Sequence, residues 1–299
     1  MVFVQLLTTL AKFFKAMRAH ELARSHQALA LTRFATLQFR TRLGGRPMLV
    51  PFVDATRIFV GAGYTGANGN YYWGLHEFSD MAFVLHYLRP DDLFVDVGAN
   101  VGSYALLASG AVGTRTIAFE PVPQTLARLR ANCDANGLGS LVDVRAVCIG
   151  ASTGTVAFST NADTMNSIVA NGDTRPSIQV PLRRLDAEIR EAPALIKIDA
   201  EGADDDVLAG AEGLICGQRP LALLIETLGG GSFGRQADLA ANRLAQLGFV
   251  HCSYDPQERA IEPTSAAPAN NYLFIRDLAF ARGRVEAAQR FYLKGFGSI

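Results

Sequence analysis

Cysteine, histidine and tryptophan are scarce in this chain, which has 4, 5 and 1 of them among 299 residues. The four cysteines lie far apart, with no Cys-x-x-Cys pair and no histidine at metal-ligand spacing; they are Cys133, Cys148, Cys216 and Cys252. This pattern disfavours a zinc site and a disulfide framework. It predicts four buried, reduced thiols in a cytoplasmic protein.

Net charge is also missing, because 28 Lys and Arg balance 28 Asp and Glu. A neutral chain argues against a broad nucleic-acid-binding surface. Apolar residues make up 49% of the sequence, yet no apolar run reaches the length that a membrane span requires. The composition is therefore that of a globular protein with a sizeable core.

The first twenty residues, "MVFVQLLTTLAKFFKAMRAH", predict an amphipathic helix. Its apolar residues recur at helical spacing, namely Phe3, Leu6, Leu7, Leu10, Phe13, Phe14 and Met17. Positive charge follows the apolar run, whereas a signal peptide has its charge first. We expect the helix to pack on its own domain or on a partner subunit. Two further roles of this helix stay open. It could form a homo-oligomer contact, or it could lie on the anionic inner face of a membrane.

From Leu93 onward, predicted strands and helices alternate, which is typical of a parallel sheet covered on both faces. An antiparallel insertion is expected over 155–160 and 178–182, and a late antiparallel hairpin over 249–254 and 270–276. The chain divides into four parts. The first is a helical extension (1–60). The second is a Gly- and aromatic-rich loop followed by a helix (61–90), which together form a candidate lid. The α/β domain (91–277) and a C-terminal helix (278–299) follow.

The stretch "LFVDVGANVGSYALLASG" at 93–110 predicts a buried strand, a small-residue turn and a helix. Gly98, Ala99 and Gly102 are small where the strand turns into the helix. At such a turn, unpaired amide N–H groups and a glycine backbone allow a ligand to approach closely. We therefore expect a ligand site here.

The ligand is unlike a dinucleotide, which requires Gly-x-Gly-x-x-Gly. Asn100 and Ser103 replace the other two glycines, and Asp96 adds a negative charge that suits a cationic ligand. Glu120 ends the second strand, where a carboxylate accepts hydrogen bonds from ribose hydroxyls. These features favour S-adenosylmethionine over NAD. The predicted cofactor residues are Asp96, Gly98, Ala99, Asn100, Gly102 and Glu120.

Six segments in order resemble the FkbM-type family of class I methyltransferases: "FVDVGANVGSYALLAS", "AFEPVPQTLARLRANCDANG", "VPLRRLDAEI", "LIKIDAEGADDDVLAGA", "LLIET" and "NNYLFIR". The resemblance covers roughly residues 90–276, which makes 91–277 an FkbM-type methyltransferase domain. It implies a Rossmann-like α/β fold, with a mostly parallel seven-stranded sheet, helices on both faces and a late antiparallel hairpin. It also implies methyl transfer, usually to a hydroxyl on a sugar, a glycan or a specialised metabolite.

Three acids, Asp199, Glu201 and Glu226, follow two adjacent strands and are predicted to meet at one rim of the sheet. They could take a proton from an alcohol or hold a divalent metal ion. Asn/Asp-Pro-Pro-Tyr, typical of amine-directed enzymes, is replaced by Ile-Asp-Ala-Glu, which favours oxygen. His76 follows the aromatic loop and is a further catalytic candidate.

Structural alternatives stay open for these acids. Asp199 could be a helix N-cap, Glu201 could interact with the helix dipole, and Glu226 could be an isolated rim charge. An N-methyltransferase and a non-catalytic cofactor-fold binding protein are the alternative functions.

Overall fold

A computed structural model describes residues 2–160, 167–169, 174–217, 221–226, 241–268 and 271–299, with side chains from residue 10 onward. The strands are β1 Met48–Pro51, β2 Arg57–Val60, β3 Leu93–Val97, β4 Arg115–Phe119, β5 Val142–Arg145, β6 Cys148–Ile149, β7 Gly154–Ser159, β8 Ser177–Arg183, β9 Leu195–Ile198, β10 Ala222–Glu226, β11 Val250–Asp255, β12 Ala260–Pro263, β13 Asn271–Ile275, β14 Tyr292–Leu293 and β15 Gly297–Ser298.

The helices are α1 Val2–Ala19, α2 Gln27–Arg42, α3 Thr65–Trp73, α4 Phe78–Tyr87, α5 Ser103–Ala105, α6 Pro123–Asp134, α7 Leu185–Glu188, α8 Asp204–Gly210, α9 Glu212–Ile215 and α10 Leu278–Glu286. A 3₁₀ turn covers Ala23–Ser25, and α5 continues as a π-helix over Leu106–Val112. Residues 241–246 are also helical.

The main sheet has the strand order β12-β11-β13-β10-β9-β3-β4-β5. Its five strands from β10 to β5 are parallel, and β13 is inserted antiparallel between β10 and β11. The predicted parallel sheet with a late antiparallel hairpin is confirmed. The seven expected strands are present, and the short strand β12 adds an eighth at the edge.

Alternate residues of the central strands face the two sides of the sheet, as the period of two requires. Phe94 belongs to the apolar core on one side, with Phe83 and Leu106. Val95 belongs to the core on the other side, with Ile196 and Val207. Because both faces are covered, the polar residues of these strands are concentrated at their carboxyl ends.

The N-terminal helices pack on the protein itself. Phe13 and Met17 of α1 are buried against Phe34 of α2, beside Tyr72 and Trp73. This part of the predicted apolar stripe is therefore an internal contact, whereas the side chains of Phe3, Leu6 and Leu7 lie outside the described ones. Among the described helices, none is both long and apolar enough to cross a membrane.

Two predicted elements are wrong. The expected loop after residue 61 contains helix α3, because Asn70 anchors it through a hydrogen bond from its Nδ2 to Ser103 Oγ (3.0 Å). The expected helix over 278–299 ends at Glu286. Gly295 and Gly297 have positive φ angles and turn the chain into the β14–β15 hairpin instead.

The four thiols are free, but Cys216 is exposed, so the expectation of four buried thiols holds for three of them. The predicted antiparallel insertion is confirmed, since β7 pairs with β8. With β6 these strands form a separate three-stranded sheet, whose buried residues Phe158 and Val180 pack with Val122.

Candidate active site

The backbone amides of the glycine turn are paired inside the protein. The N–H groups of Gly98 and Ala99 donate to the Phe119 carbonyl, at 3.1 and 2.9 Å. That of Asn100 donates to Glu120 Oε2 at 3.1 Å. The expectation of free amides is therefore wrong, because the end of β4 takes up these donors. A turn without free amides does not offer the phosphate-binding site that a dinucleotide needs.

Gly98 is required by a close approach between two strand ends. Its φ is +79°, and a Cβ placed there would lie 1.8 Å from the carbonyl oxygen of Asp199. Gly102 has a φ of +89°, and a Cβ there would lie 3.2 Å from Leu129 Cγ on α6. The glycines thus allow tight packing of the backbone and not only the approach of a ligand.

Glu120 is buried at the end of β4 and holds the turn through both carboxylate oxygens. Oε1 accepts from the Val122 N–H at 2.9 Å, and Oε2 accepts from Asn100. Burial raises the pKa of Glu120 to about 7. A carboxylate has about four lone-pair positions, so two hydroxyl donors can still bind.

A cavity opens between this glutamate and the rim acids. Gly98, Asn100, Glu120, Asp199 and Glu201 line it, so five of the predicted site residues share one space. Its opposite wall is apolar and is formed by Phe119, Val122, Val147, Ile149, Phe158 and Ile168. An apolar wall facing a hydroxyl-binding carboxylate fits the base and the ribose of a nucleoside.

The three predicted rim acids meet. One carboxylate oxygen from each of Asp199, Glu201 and Glu226 lies within 4.8 Å of the others. Asp199 Oδ2 also forms an ion pair with Lys197 Nζ at 2.6 Å, and the Lys197 side chain is only 3% exposed. The alternative of Glu226 as an isolated charge is therefore wrong.

These acids differ in protonation. Although burial opposes it, the neighbouring Lys197 ammonium lowers the pKa of Asp199. Burial, followed by the charge of Asp199, raises the pKa of Glu201 to about 7 and that of Glu226 to about 9. At neutral pH, Asp199 is therefore an anion and Glu226 carries a proton, whereas Glu201 is present in both the protonated and the ionised form.

The N-cap alternative for Asp199 is also wrong. Helix α8 begins at Asp204, and the Asp204 carboxylate accepts the Ala200 N–H at 3.0 Å. Asp199 lies five residues earlier and points to Lys197 instead. Glu201 has a positive φ of 48°, which is uncommon for this residue type.

Asp96 does not line the cavity. It is 1% exposed, and neither carboxylate oxygen has a hydrogen-bond partner among the described residues. Burial raises its pKa to about 7, opposed by Lys197, its register neighbour on β9. Ala99 and Gly102 shape the turn without lining the cavity.

His76 does not line this cavity; it lines a second cleft, together with Asp80 and Asn271. Its backbone N–H donates to Asn70 Oδ1 at 2.8 Å, and its ring lies 5.1 Å from that of Trp73. The structure therefore does not bring His76 together with Asp199 and Glu201 among the residues that line the cavity.

A family model for the FkbM methyltransferase domain matches residues 96–251, which is just over half of the chain. This chain belongs to the FkbM methyltransferase family. The family is S-adenosylmethionine-dependent, and the sheet order described above agrees with a class I methyltransferase fold.

Two curated proteins are similar to this FkbM-family chain. The 31-O-demethyl-FK506 methyltransferase FkbM of Streptomyces tacrolimicus is 32% identical, with 45% of this chain and 66% of that protein covered. The hexuronic acid methyltransferase AglP of Haloferax volcanii is 30% identical, with 42% and 53% covered. The chain thus spans less than two thirds of either relative. The solved methyltransferase FkbM of Methylobacillus flagellatus KT is 18% identical, with a TM-score of 0.43 and coverage of 70% and 52%.

Sequence reasoning missed several polar residues near Lys197 and in the second cleft of this FkbM-family chain. Tyr104 donates to Glu77 Oε2 at 2.5 Å, and its ring centre lies 4.8 Å from Lys197 Nζ. Asn271 donates from Nδ2 to Asp80 Oδ2 at 2.8 Å. Asn271 is a polar residue at the start of a buried strand. This polarity is the feature of the sequence that could have identified it as a candidate site residue. Glu77 and Asp80 looked like ordinary charges near a helix start.

Changing Glu120 to Gln should weaken binding of S-adenosylhomocysteine about thirtyfold, or ~2 kcal/mol, because it removes a charged acceptor. Calorimetry measures this affinity. Glu191→Gln is the control, since Glu191 is exposed and pairs with Arg115 far from the cavity. Equal affinity in Glu120→Gln and wild type contradicts the assignment of the ribose to Glu120.

Proposed function

We propose that the protein transfers a methyl group from S-adenosylmethionine to a hydroxyl group of a small molecule, a sugar or a glycan. The observation that carries the proposal is the placement of Asp199 and Glu201 in the same cavity as Glu120 and the glycine turn. A carboxylate able to take a proton therefore lies beside a nucleoside-binding carboxylate.

In this proposal, Glu120 holds the ribose, and the apolar wall at Phe119, Val122 and Phe158 holds the adenine. When bound, S-adenosylmethionine supplies an electrophilic methyl group. Methyl transfer needs the acceptor oxygen to be held close and in line, so positioning is the main task of the protein.

Glu201 is the proposed general base. A base works best when its pKa lies near the operating pH, and the pKa of Glu201 is raised to about 7. It takes the hydroxyl proton of the acceptor on a carboxylate oxygen. Asp199 is fixed by Lys197 and keeps its negative charge, while protonated Glu226 can donate a hydrogen bond.

The segment 61–90 is, in this proposal, a fixed cover and not a moving lid. Asn70 ties α3 to Ser103, and Ser103 Oγ donates to the Gly66 carbonyl at 3.2 Å. These bonds connect α3 directly to the helix that follows the glycine turn.

The relatives support an oxygen acceptor. One is named for a 31-O-demethyl substrate and the other for hexuronic acid. The direct test incubates the protein with S-adenosylmethionine labelled in its methyl group and a panel of neutral sugars, sugar acids and matched amines. Label in hydroxyl acceptors supports the proposal, and label in amines alone supports the N-methyltransferase. Binding of S-adenosylhomocysteine without any transfer supports the non-catalytic alternative.

A divalent metal ion is the second account of the rim acids, because their oxygens lie within 4.8 Å of one another. We favour proton transfer, since Asp199 already forms an ion pair with Lys197 at 2.6 Å. Activity should therefore be unchanged by dialysis against a chelator. Loss of activity on chelation, with recovery on adding Mg²⁺ or Mn²⁺, contradicts this expectation and supports the metal.

A further inference from the structure

A second cleft, of about 320 Å³, shares no lining residue with the cavity described above, and we name it the α4 cleft. It is bounded by the start of α4, by β11 and by the start of β13, and its volume is in the range of small-molecule sites. Asn271 lines it and is the register partner of Glu226 on the neighbouring strand. The cleft is therefore one strand away from the proposed reaction centre.

The α4 cleft holds buried polar atoms that have no hydrogen-bond partner in the part of the chain that the structure describes. Asn271 is 3% exposed, and its Oδ1 accepts no hydrogen bond from the described residues. The Nε2 atom of His251 is likewise without a partner. Unpaired buried polar atoms cost free energy, and a ligand that carries hydroxyl groups can satisfy both kinds of atom.

Positive charge is missing from the lining. Among the described residues that line the cleft there is no lysine or arginine, whereas Glu21 and Asp80 are acidic. Burial lowers the pKa of each of the three lining histidines, His20, His76 and His251, so their rings are neutral at pH 7.5. Desolvation raises the pKa of Asp80 to about 7, so part of its charge remains.

We propose that the α4 cleft binds the methyl acceptor, and that this acceptor is an uncharged, hydroxyl-bearing molecule such as a neutral sugar. The inference rests on the proposed function, and it adds a location and a charge preference. A sugar acid would bring its carboxylate next to Asp80 and meet no cation there. Burying an unpaired carboxylate is costly, so the cleft discriminates against sugar acids.

The test measures binding separately from transfer. Protein saturated with S-adenosylhomocysteine is examined at pH 7.5 by saturation-transfer difference NMR. The probes are the methyl glycosides of glucose, galactose and mannose, each compared with its uronic acid counterpart. We expect at least one neutral glycoside to bind at least tenfold more tightly than its uronic acid partner.

Two variants link binding to the cleft. His251→Phe keeps a ring beside Tyr272, at 4.9 Å in wild type, but removes Nε2; it should weaken the neutral glycoside at least fivefold. Asp80→Asn should reduce the difference in affinity between each neutral glycoside and its uronic acid counterpart, because the variant removes the acidic group. Glu258→Gln, an exposed residue outside the cleft, is the control and should change neither value.

The cleft assignment is overturned if the uronic acids bind as well as the neutral glycosides, if neither kind binds, or if His251→Phe changes nothing. A failure of the proposed function looks different. It is the absence of S-adenosylhomocysteine binding in wild type, or the absence of methyl transfer while glycosides still bind and respond to His251→Phe.

Discussion

Replacing Gly98 with alanine is expected to abolish cofactor binding and to destabilise the protein by about 3 kcal/mol or more. The added Cβ would lie 1.8 Å from the carbonyl oxygen of Asp199, which is backbone and cannot move aside without separating the ends of β3 and β9. The positive φ of Gly98 adds strain for any other residue. Urea unfolding measures the stability, and calorimetry measures the binding of S-adenosylhomocysteine.

Gly139→Ala is the matched control, because a Cβ there meets no atom within 4 Å and its φ is not positive. It should leave stability and binding near their wild-type values. If Gly98→Ala folds normally and binds the cofactor product with unchanged affinity, the strand ends do not approach as closely as described, and the arrangement of the rim acids is wrong too.

The second large expected effect is on turnover, and it distinguishes the roles of Glu201 and Asp199. Glu201→Gln should lower turnover about a hundredfold or more with little change in stability, because it removes the proposed base and breaks no ion pair described here. Asp199→Asn should lower both turnover and stability, the latter by about 2 kcal/mol. It leaves the buried Lys197 ammonium without its ion-pair partner.

The pH dependence provides an independent check. A base with a pKa of about 7 is protonated below that pH, so wild-type turnover should rise as the pH passes through 7 and then level off. Glu201→Gln should lose this rise. A hundredfold loss in Asp199→Asn together with full activity in Glu201→Gln would transfer the role of base to Asp199.

The sequence was sufficient to predict that the acids at the ends of the strands lie together at one rim of the sheet. Asp199, Glu201 and Glu226 come directly after two apolar runs, and parallel neighbouring strands bring their carboxyl ends to one rim. Glu120 was predictable for the same reason. Local pattern and the topology of a parallel sheet together determine these positions.

Contacts between distant segments were not predictable in this way. Asp80 and Asn271 are 191 residues apart and meet because β13 is inserted beside β10. Helix α3 contains two glycines and two asparagines within "TGANGNYYW", which argues against a helix by propensity. Its bond to Ser103 and its packing against α2 stabilise it instead. The hydrogen bonds from the turn amides to the Phe119 carbonyl and the Glu120 carboxylate were not predictable for the same reason.

The β14–β15 hairpin also has a consequence for how the chain acquires its structure. The Asp54 N–H donates to the Tyr292 carbonyl and Asp54 Oδ1 accepts from the Tyr292 N–H, while Arg33 donates to the Lys294 carbonyl across 261 residues of sequence. During synthesis on the ribosome, the side of α2 that carries Arg33 therefore emerges long before its partners in the hairpin exist. That side of α2 stays exposed until almost all of the chain has been made, whereas Phe13 and Met17 of α1 find Phe34, Tyr72 and Trp73 early. Chaperones would be expected to recognise the exposed side of α2 during that interval.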